Sequence, residues 1–160
     1  MKYLWLTLRH KYWVFRYGLK VGCPIWRLIT HDISKLSWNE YPYYQRQFFG
    51  DKGDQYAFQM AWLHHQHVND HHWEFWIPPT RHDRGTPRGL DYEPLPMSMP
   101  AILEMVSDWM GASHAYDHKA VDINNWPWLD EHWAAMTRRM HPGTVVMVRL
   151  VLGRMGRKRI

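Results

Sequence analysis

Apolar residues recur along this chain at the three- and four-residue spacing of an α-helix, and no convincing strand pattern interrupts them. Trp5, Leu8, Tyr12, Phe15 and Leu19 set that rhythm over residues 2–19. Gly22 ends the first helix, and Pro24 suits the opening turn of the next. This second helix is expected to run to about Leu36, with Ile25, Leu28, Ile29, Ile33 and Leu36 facing inward. Ser37 with Glu40 three residues on reads as a capping box for a short aromatic helix, Tyr41 to Phe49. After a turn at Gly50–Asp54, a longer helix starts near Gln55, breaks near Asn69-Asp70, and is stopped by Pro78-Pro79. Residues 99–117 form another helix, with Ile102, Met105, Val106, Trp109 and Ala112 on one side. Two more are expected at about 128–140 and 143–155. Val145–Val148 is the only β-like run, and its surroundings favour helix. The chain should therefore be all-α, a single compact bundle of six or seven helices.

A chain of 160 residues is most simply one domain, here residues 1–153. With 46% hydrophobic and 22% charged residues it has the composition of a packed protein, so disorder is expected only at the ends. Residues 80–98 are polar and rich in Gly and Pro; a loop this long is usually functional, and it could form a lid carrying Arg81, Arg84 and Arg88. Residues 154–160 form a basic tail, read as a solvated end that could also touch nucleic acid or acidic lipid. The net charge of +5 suits an anionic substrate. A single cysteine, Cys23, permits no internal disulfide and fits a reducing, cytoplasmic setting. The apolar start is too short for a signal peptide and no run is long enough to span a bilayer, so no membrane partner is expected. A homo-oligomer is left open.

Chemistry concentrates in a few segments. His31-Asp32 is followed by Lys35; His10 lies upstream, Asp108 far downstream, and five histidines crowd residues 64–72. Imidazoles and carboxylates in this order supply one ion's worth of nitrogen and oxygen ligands from separate segments, as metal sites between helices do. On a helix, His31 and Asp32 would project about 100° apart and could share one ion. Lys35, at i+4 and i+3 from the pair, lies on the same face; a cation there makes sense if an anion such as phosphate bridges it to the metal. On one continuous helix, His64, His67 and His71 share a face, while His65 and His72 share a neighbouring one. Some of these could hold a second metal, some contact substrate, and some only pack. Glu104 shares the face of Asp108 and could orient a metal-held water or pair with Lys or Arg. His82, His114, His118, His132 and His141 lack motif context and read as surface or packing residues.

The set His10, His31-Asp32 and Asp108 resembles the HD-domain superfamily of metal-dependent phosphohydrolases. His31-Asp32-Ile33-Ser34-Lys35 looks like the HDxGK element of its cyclic-dinucleotide phosphodiesterase branch, with Ser34 in place of the usual glycine. His64-His65-Gln66 looks like that branch's HHE element, with Gln66 in place of glutamate. A likeness over most of the chain is to a small uncharacterised bacterial and phage family that shares His31-Asp32, Ser34-Lys35, His64-His65-Gln66, Asn69, His71-His72-Trp73 and Glu104-Met105-Val106 with Asp108-Trp109.

The resemblance implies an HD-type helical bundle and a phosphohydrolase acting on a nucleotide or related phosphate ester through a metal-bound hydroxide. His10, His31, Asp32 and Asp108 would hold one divalent transition metal (Mn, Co, Ni, Zn or Fe), with His64 and His65 as ligands of a second ion or contacts to substrate. Lys35, His71 and His72 would take catalytic parts. Lys35, Asn69, Arg81, Arg84 and Arg88 would bind the anionic substrate. Two other classes stay open: an HD-type di-iron oxygenase, and a non-catalytic nucleic-acid or protein-binding module with a structural metal.

Overall fold

The computed structural model describes residues 2–78 and 93–158, and over them the chain is all-α. Seven α-helices run in the order α1 (Lys2–Val21), α2 (Ile25–Thr30), α3 (Tyr41–Phe49), α4 (Gln55–Val68), α5 (Met99–Asp117), α6 (Pro127–Arg139) and α7 (Pro142–Arg154). Two 3-10 turns, Ile33–Leu36 and Trp73–Trp76, follow α2 and α4. The starts have local causes. The carboxylate of Asp54 accepts from the amides of Tyr56 and Ala57, and the Ser98 hydroxyl accepts from Ala101. Proline stands in the first turn of α3, α5, α6 and α7.

Helix α5 lies at the centre because small or apolar residues occupy nearly all its sides. Ala101, Ile102, Met105, Val106, Met110 and Ala115 are buried, and Leu129 of α6 and Val148, Val151 and Leu152 of α7 close over it. Helix α1 is pressed against α5 at Gly111, where a Cβ would sit only 2.5 Å from Val14 Cγ2 and 2.6 Å from the Val14 backbone nitrogen. That crossing matters for chemistry. His10 lies one turn before Val14 and Asp108 one turn before Gly111, so close backbones bring these two side chains face to face.

The second helix departs from expectation. It stops at Thr30 instead of reaching Leu36, and Ile25, Ile29, Ile33 and Leu36 are exposed; Leu28 alone of that set is buried, seated against Gly18. The break has a backbone cause. His31 is extended (φ −45°, ψ 129°) and Asp32 is left-handed (φ 55°, ψ 24°). The left-handed region costs a non-glycine residue roughly 1–2 kcal/mol and is best tolerated by Asp and Asn. This turn directs His31 and Asp32 inward together, which a continuous helix would not do. Lys11 secures it by donating its ammonium to the carbonyls of Ile29 and His31.

The capping box is not formed either. Glu40, not Ser37, precedes α3, and the Ser37 hydroxyl has no hydrogen-bond partner. Glu40 is fully buried because its carboxylate serves histidines of α4 instead. Of the expected long loop, residues 93–98 are described and anchored: the Leu95 amide donates to the Trp76 carbonyl and the Met97 amide to Thr144 Oγ1. Arg81, Arg84 and Arg88, with the proposed lid they would carry, lie outside the described residues. The basic tail is not wholly a solvated end. Arg157 is buried, donates to the Ile123 carbonyl and pairs with Asp130.

Candidate metal centre

The buried centre of the protein holds two groups of potential ligand atoms that share Asp32. In the first, His10 from α1, His31 and Asp32 from the α2 break, and Asp108 from α5 converge. His10 Nε2 lies 3.2 Å from His31 Nε2, 3.2 Å from Asp32 Oδ2 and 3.1 Å from Asp108 Oδ1. His31 Nε2 lies 3.3 Å from Asp32 Oδ2 and 3.4 Å from Asp108 Oδ1. Two ligands each about 2.1 Å from one ion stand about 3.0 Å apart across an octahedral edge and about 3.4 Å across a tetrahedral one. The observed separations fall in that range.

In the second group, His65, His71 and His72 gather around the other oxygen of Asp32. His65 Nε2 and His71 Nε2 each lie 3.4 Å from Asp32 Oδ1. These two nitrogens, His72 Nε2 and Asp32 Oδ1 are all buried without a hydrogen-bond partner. An orphaned buried polar atom is costly, and four aimed at one place call for a common partner. Three imidazole nitrogens and a carboxylate oxygen form a donor set that suits a divalent transition metal. The residues therefore fit a metal at either group.

Two buried glutamates aim these rings. A carboxylate only accepts, so each histidine bonded to one donates from Nδ1 and turns its Nε2 away. Glu104 Oε1 accepts from His31 Nδ1 at 2.9 Å and from His71 Nδ1 at 3.2 Å. Its other oxygen accepts from Arg27, which is held in turn by Asp70. Glu40 accepts from His65 Nδ1 at 2.9 Å and from His64 Nδ1 at 2.8 Å. His31, Glu104 and His71 also lie close enough to form a third ligand set, but the atoms involved are engaged in these hydrogen bonds.

The local field favours a cation. Burial alone would raise the pKa of Asp32, but His31, Lys35, His65 and His10 outweigh it and hold the carboxyl well below the usual range. Asp108 is depressed likewise: burial raises it, and hydrogen bonds from His10 and His31 prevail. Glu104, raised by burial and pulled down by His31 and His71, falls to about 2. Burial lowers His65, and burial with neighbouring His71 and His65 takes His72 well below 6.5, so both are neutral donors near pH 7. His31 responds oppositely: burial lowers it, but Asp32, Asp108 and Glu104 together lift it well above 6.5.

The structure brings His10, His31, Asp32, Asp108, His65, His71 and His72 together. His64 stands outside the ligand groups, half-buried on Glu40. Asn69 sits at the end of α4, where its amide donates to the Ser34 hydroxyl and the His65 carbonyl. Lys35 does not await an anion across a gap; its ammonium lies 2.5 Å from Asp32 Oδ2. The convergence of His65 with His71 and His72 depends on the end of α4 at Val68, which folds residues 69–72 back over the helix terminus. Sequence reasoning missed Glu40, because its spacing from Ser37 matches a cap. His132, expected as a surface or packing residue, is exposed. It stacks on Trp128 and lines a cavity of about 520 Å³ beside both groups, together with Trp62, Trp109, Tyr116, His72 and Lys35.

A family model described as a family of unknown function, DUF5662, matches residues 1–154. The chain belongs to that family. No curated protein and no solved structure matches it. The DUF5662 match takes in all of α1 to α7 and every residue of the two ligand groups.

Proposed function

We propose that this DUF5662 protein is a metal-dependent phosphohydrolase of the HD type, with Asp32 common to two groups that would each hold a metal ion. The observation that carries the reading is the convergence of four unpartnered buried atoms, Asp32 Oδ1 and the Nε2 atoms of His65, His71 and His72, next to a second complete ligand set. Divalent ions held there would supply a water nucleophile at neutral pH and draw negative charge off a phosphate. His10, His31, Asp32 and Asp108 would hold one ion, and Asp32, His65, His71 and His72 the other.

The adjoining cavity supports a small-molecule substrate, since its volume of about 520 Å³ suits one. Lys35 faces both Asp32 and the cavity. Burial would lower its pKa, but Asp32, Tyr116 and Asp108 lift it well above 10.5, so it stays charged and can hold a phosphate oxygen. The rings of Trp62, Trp109 and Trp128 offer flat apolar walls for the base of a nucleotide. The five-histidine content of the two groups favours a second reading, a di-iron oxygenase.

Elemental mass spectrometry of purified protein, beside Asp32→Ala, separates these outcomes. Near-stoichiometric Mn, Co, Ni or Zn that Asp32→Ala abolishes, with release of phosphate from nucleoside monophosphates, supports the hydrolase. Two irons per chain with no phosphate release moves the assignment to the oxygenase. No bound metal even after loading with divalent ions overturns both.

A further inference from the structure

The first 39 residues differ in charge from all that follows. They hold seven of the twenty Lys and Arg residues but only one of the fifteen carboxylates, a formal +6; the rest of the chain carries thirteen cations and fourteen carboxylates. That single carboxylate is Asp32, buried in the metal centre. Arg27 and Lys35 are turned inward onto Glu104, Asp70 and Asp32, which leaves Lys2, Arg9, Lys11, Arg16 and Lys20 as this segment's outer cations, with no exposed acid of the segment to offset them. The same segment carries an unusual run of exposed apolar side chains. Trp5 is 71% exposed, Trp26 62%, Ile29 63% and Trp38 90%, with Leu8, Tyr12, Leu19, Ile25, Ile33 and Leu36 exposed as well.

Those of α1 and α2 form one surface. At about 100° per residue, Leu4, Leu8, Tyr12, Leu19 and Trp5 occupy roughly 100° of the α1 circumference, opposite the buried His10, Val14 and Tyr17. Arg9, Arg16 and Lys20 border that stripe on one side and Lys11 on the other. Helix α2 packs along the Lys11 border: Lys11 donates to the Ile29 carbonyl, and Leu28 is seated against Gly18. The outward Ile25, Trp26 and Ile29 therefore extend the stripe sideways. A patch this large on a folded protein marks an interaction surface.

We propose that the α1–α2 face docks on the surface of an anionic lipid bilayer. Aliphatic and Trp or Tyr side chains flanked by Lys and Arg are what an interfacial helix presents, its apolar stripe in the headgroup boundary and its cations on acidic headgroups. Self-association would oppose two surfaces that are both cationic and lack an exposed carboxylate. A nucleic acid would meet the cations but leave the isoleucines without a partner. A surface contact needs no spanning helix, and among the described residues no helix is long and apolar enough to cross a membrane. The inference does not depend on the metal chemistry.

The test is co-sedimentation of the full chain with vesicles of phosphatidylcholine alone or containing about 30% phosphatidylglycerol, over a range of salt. Binding to the acidic vesicles only, weakening as salt rises, is expected. Replacing Arg16 and Lys20 together by Gln should weaken it about fivefold per cation removed. Ile25→Ser with Ile29→Ser should weaken it at least tenfold. These side chains are exposed, so circular dichroism and thermal melts of both variants should match the parent. Lack of binding to acidic vesicles, or binding that survives the isoleucine pair, overturns the proposal. So does a dimer in sedimentation velocity that the isoleucine pair dissolves, or duplex DNA binding that the same pair abolishes.

Discussion

The two ligand groups share a carboxylate yet are built in opposite ways. The His10 group is drawn from two long helices locked at Gly111 and from the turn after α2, and its facing atoms already satisfy one another through contacts of 3.1–3.4 Å. The group around His65 is drawn from the end of a helix and the turn behind it, and four of its atoms make no hydrogen bond, their closest approaches being the 3.4 Å from Asp32 Oδ1 to the His65 and His71 nitrogens. The first can persist as a hydrogen-bonded network without an ion. The second lacks such a network, and a bound ion would supply the missing partner. Metal removal should therefore loosen residues 65–72 far more than the α1–α5 crossing, a difference that hydrogen exchange with and without chelator would register.

The largest effect should come from Asp32→Ala, which removes the one carboxylate that both groups share. Bound metal should fall to none, where His10→Ala should spare the His65 group. The alanine also strands Lys35 and the surrounding imidazoles, so the protein should lose about 3–5 kcal/mol, readable in urea titration. If metal content survives Asp32→Ala, the shared-carboxylate reading fails.

Gly111→Ala separates the groups in the other direction. A methyl there meets the Val14 backbone, so α1 and α5 must move apart. Overpacking of this kind costs about 1–3 kcal/mol, and it should weaken metal at the His10 group while leaving the His65 group loaded. Equal loss at both would mean that the two positions are not independent. Next in size, Glu40→Gln should weaken the His65 group about 10- to 100-fold, because the amide cannot accept from both His64 and His65. Glu104→Gln should instead disturb both groups, through His31 and His71. Isothermal titration with Mn or Zn distinguishes these patterns.

How legible this was in the sequence differs along the chain. Helices α5, α6 and α7 follow from apolar periodicity to within a residue or so, because most of their inward positions are apolar. The α2 region reads wrongly for the complementary reason. Its buried residues include Arg27, His31 and Asp32, while its isoleucines face out, so a rule that places apolar residues inside selects the wrong face. The meeting of His10, His31-Asp32 and Asp108 could be anticipated from residue type and order. The part played by Glu40 could not, since a local capping pattern and a long-range bond to His65 look identical in one dimension.

The smallest predicted effect is on pH dependence, and it also divides by group. Without metal, burial lowers His71, but Asp32 and Glu104 outweigh it, so His71 and His31 both titrate above 6.5 in the folded protein. A raised folded pKa contributes stability that is present below about 6.5 and lost as pH climbs through the folded value. His65 and His72 are depressed by burial, so they cost stability as pH falls below about 6.5, where the unfolded chain takes up protons they refuse. The metal-free protein should therefore be most stable near pH 6.5 and weaken on either side. Metal requires its imidazole ligands neutral, so binding must expel protons from His31 and His71 and should tighten as pH rises. The gain in melting temperature on adding metal should thus grow from about pH 6.5 to about pH 8.5. A gain that stays flat over that interval would show that His31 and His71 hold no protons for the metal to displace.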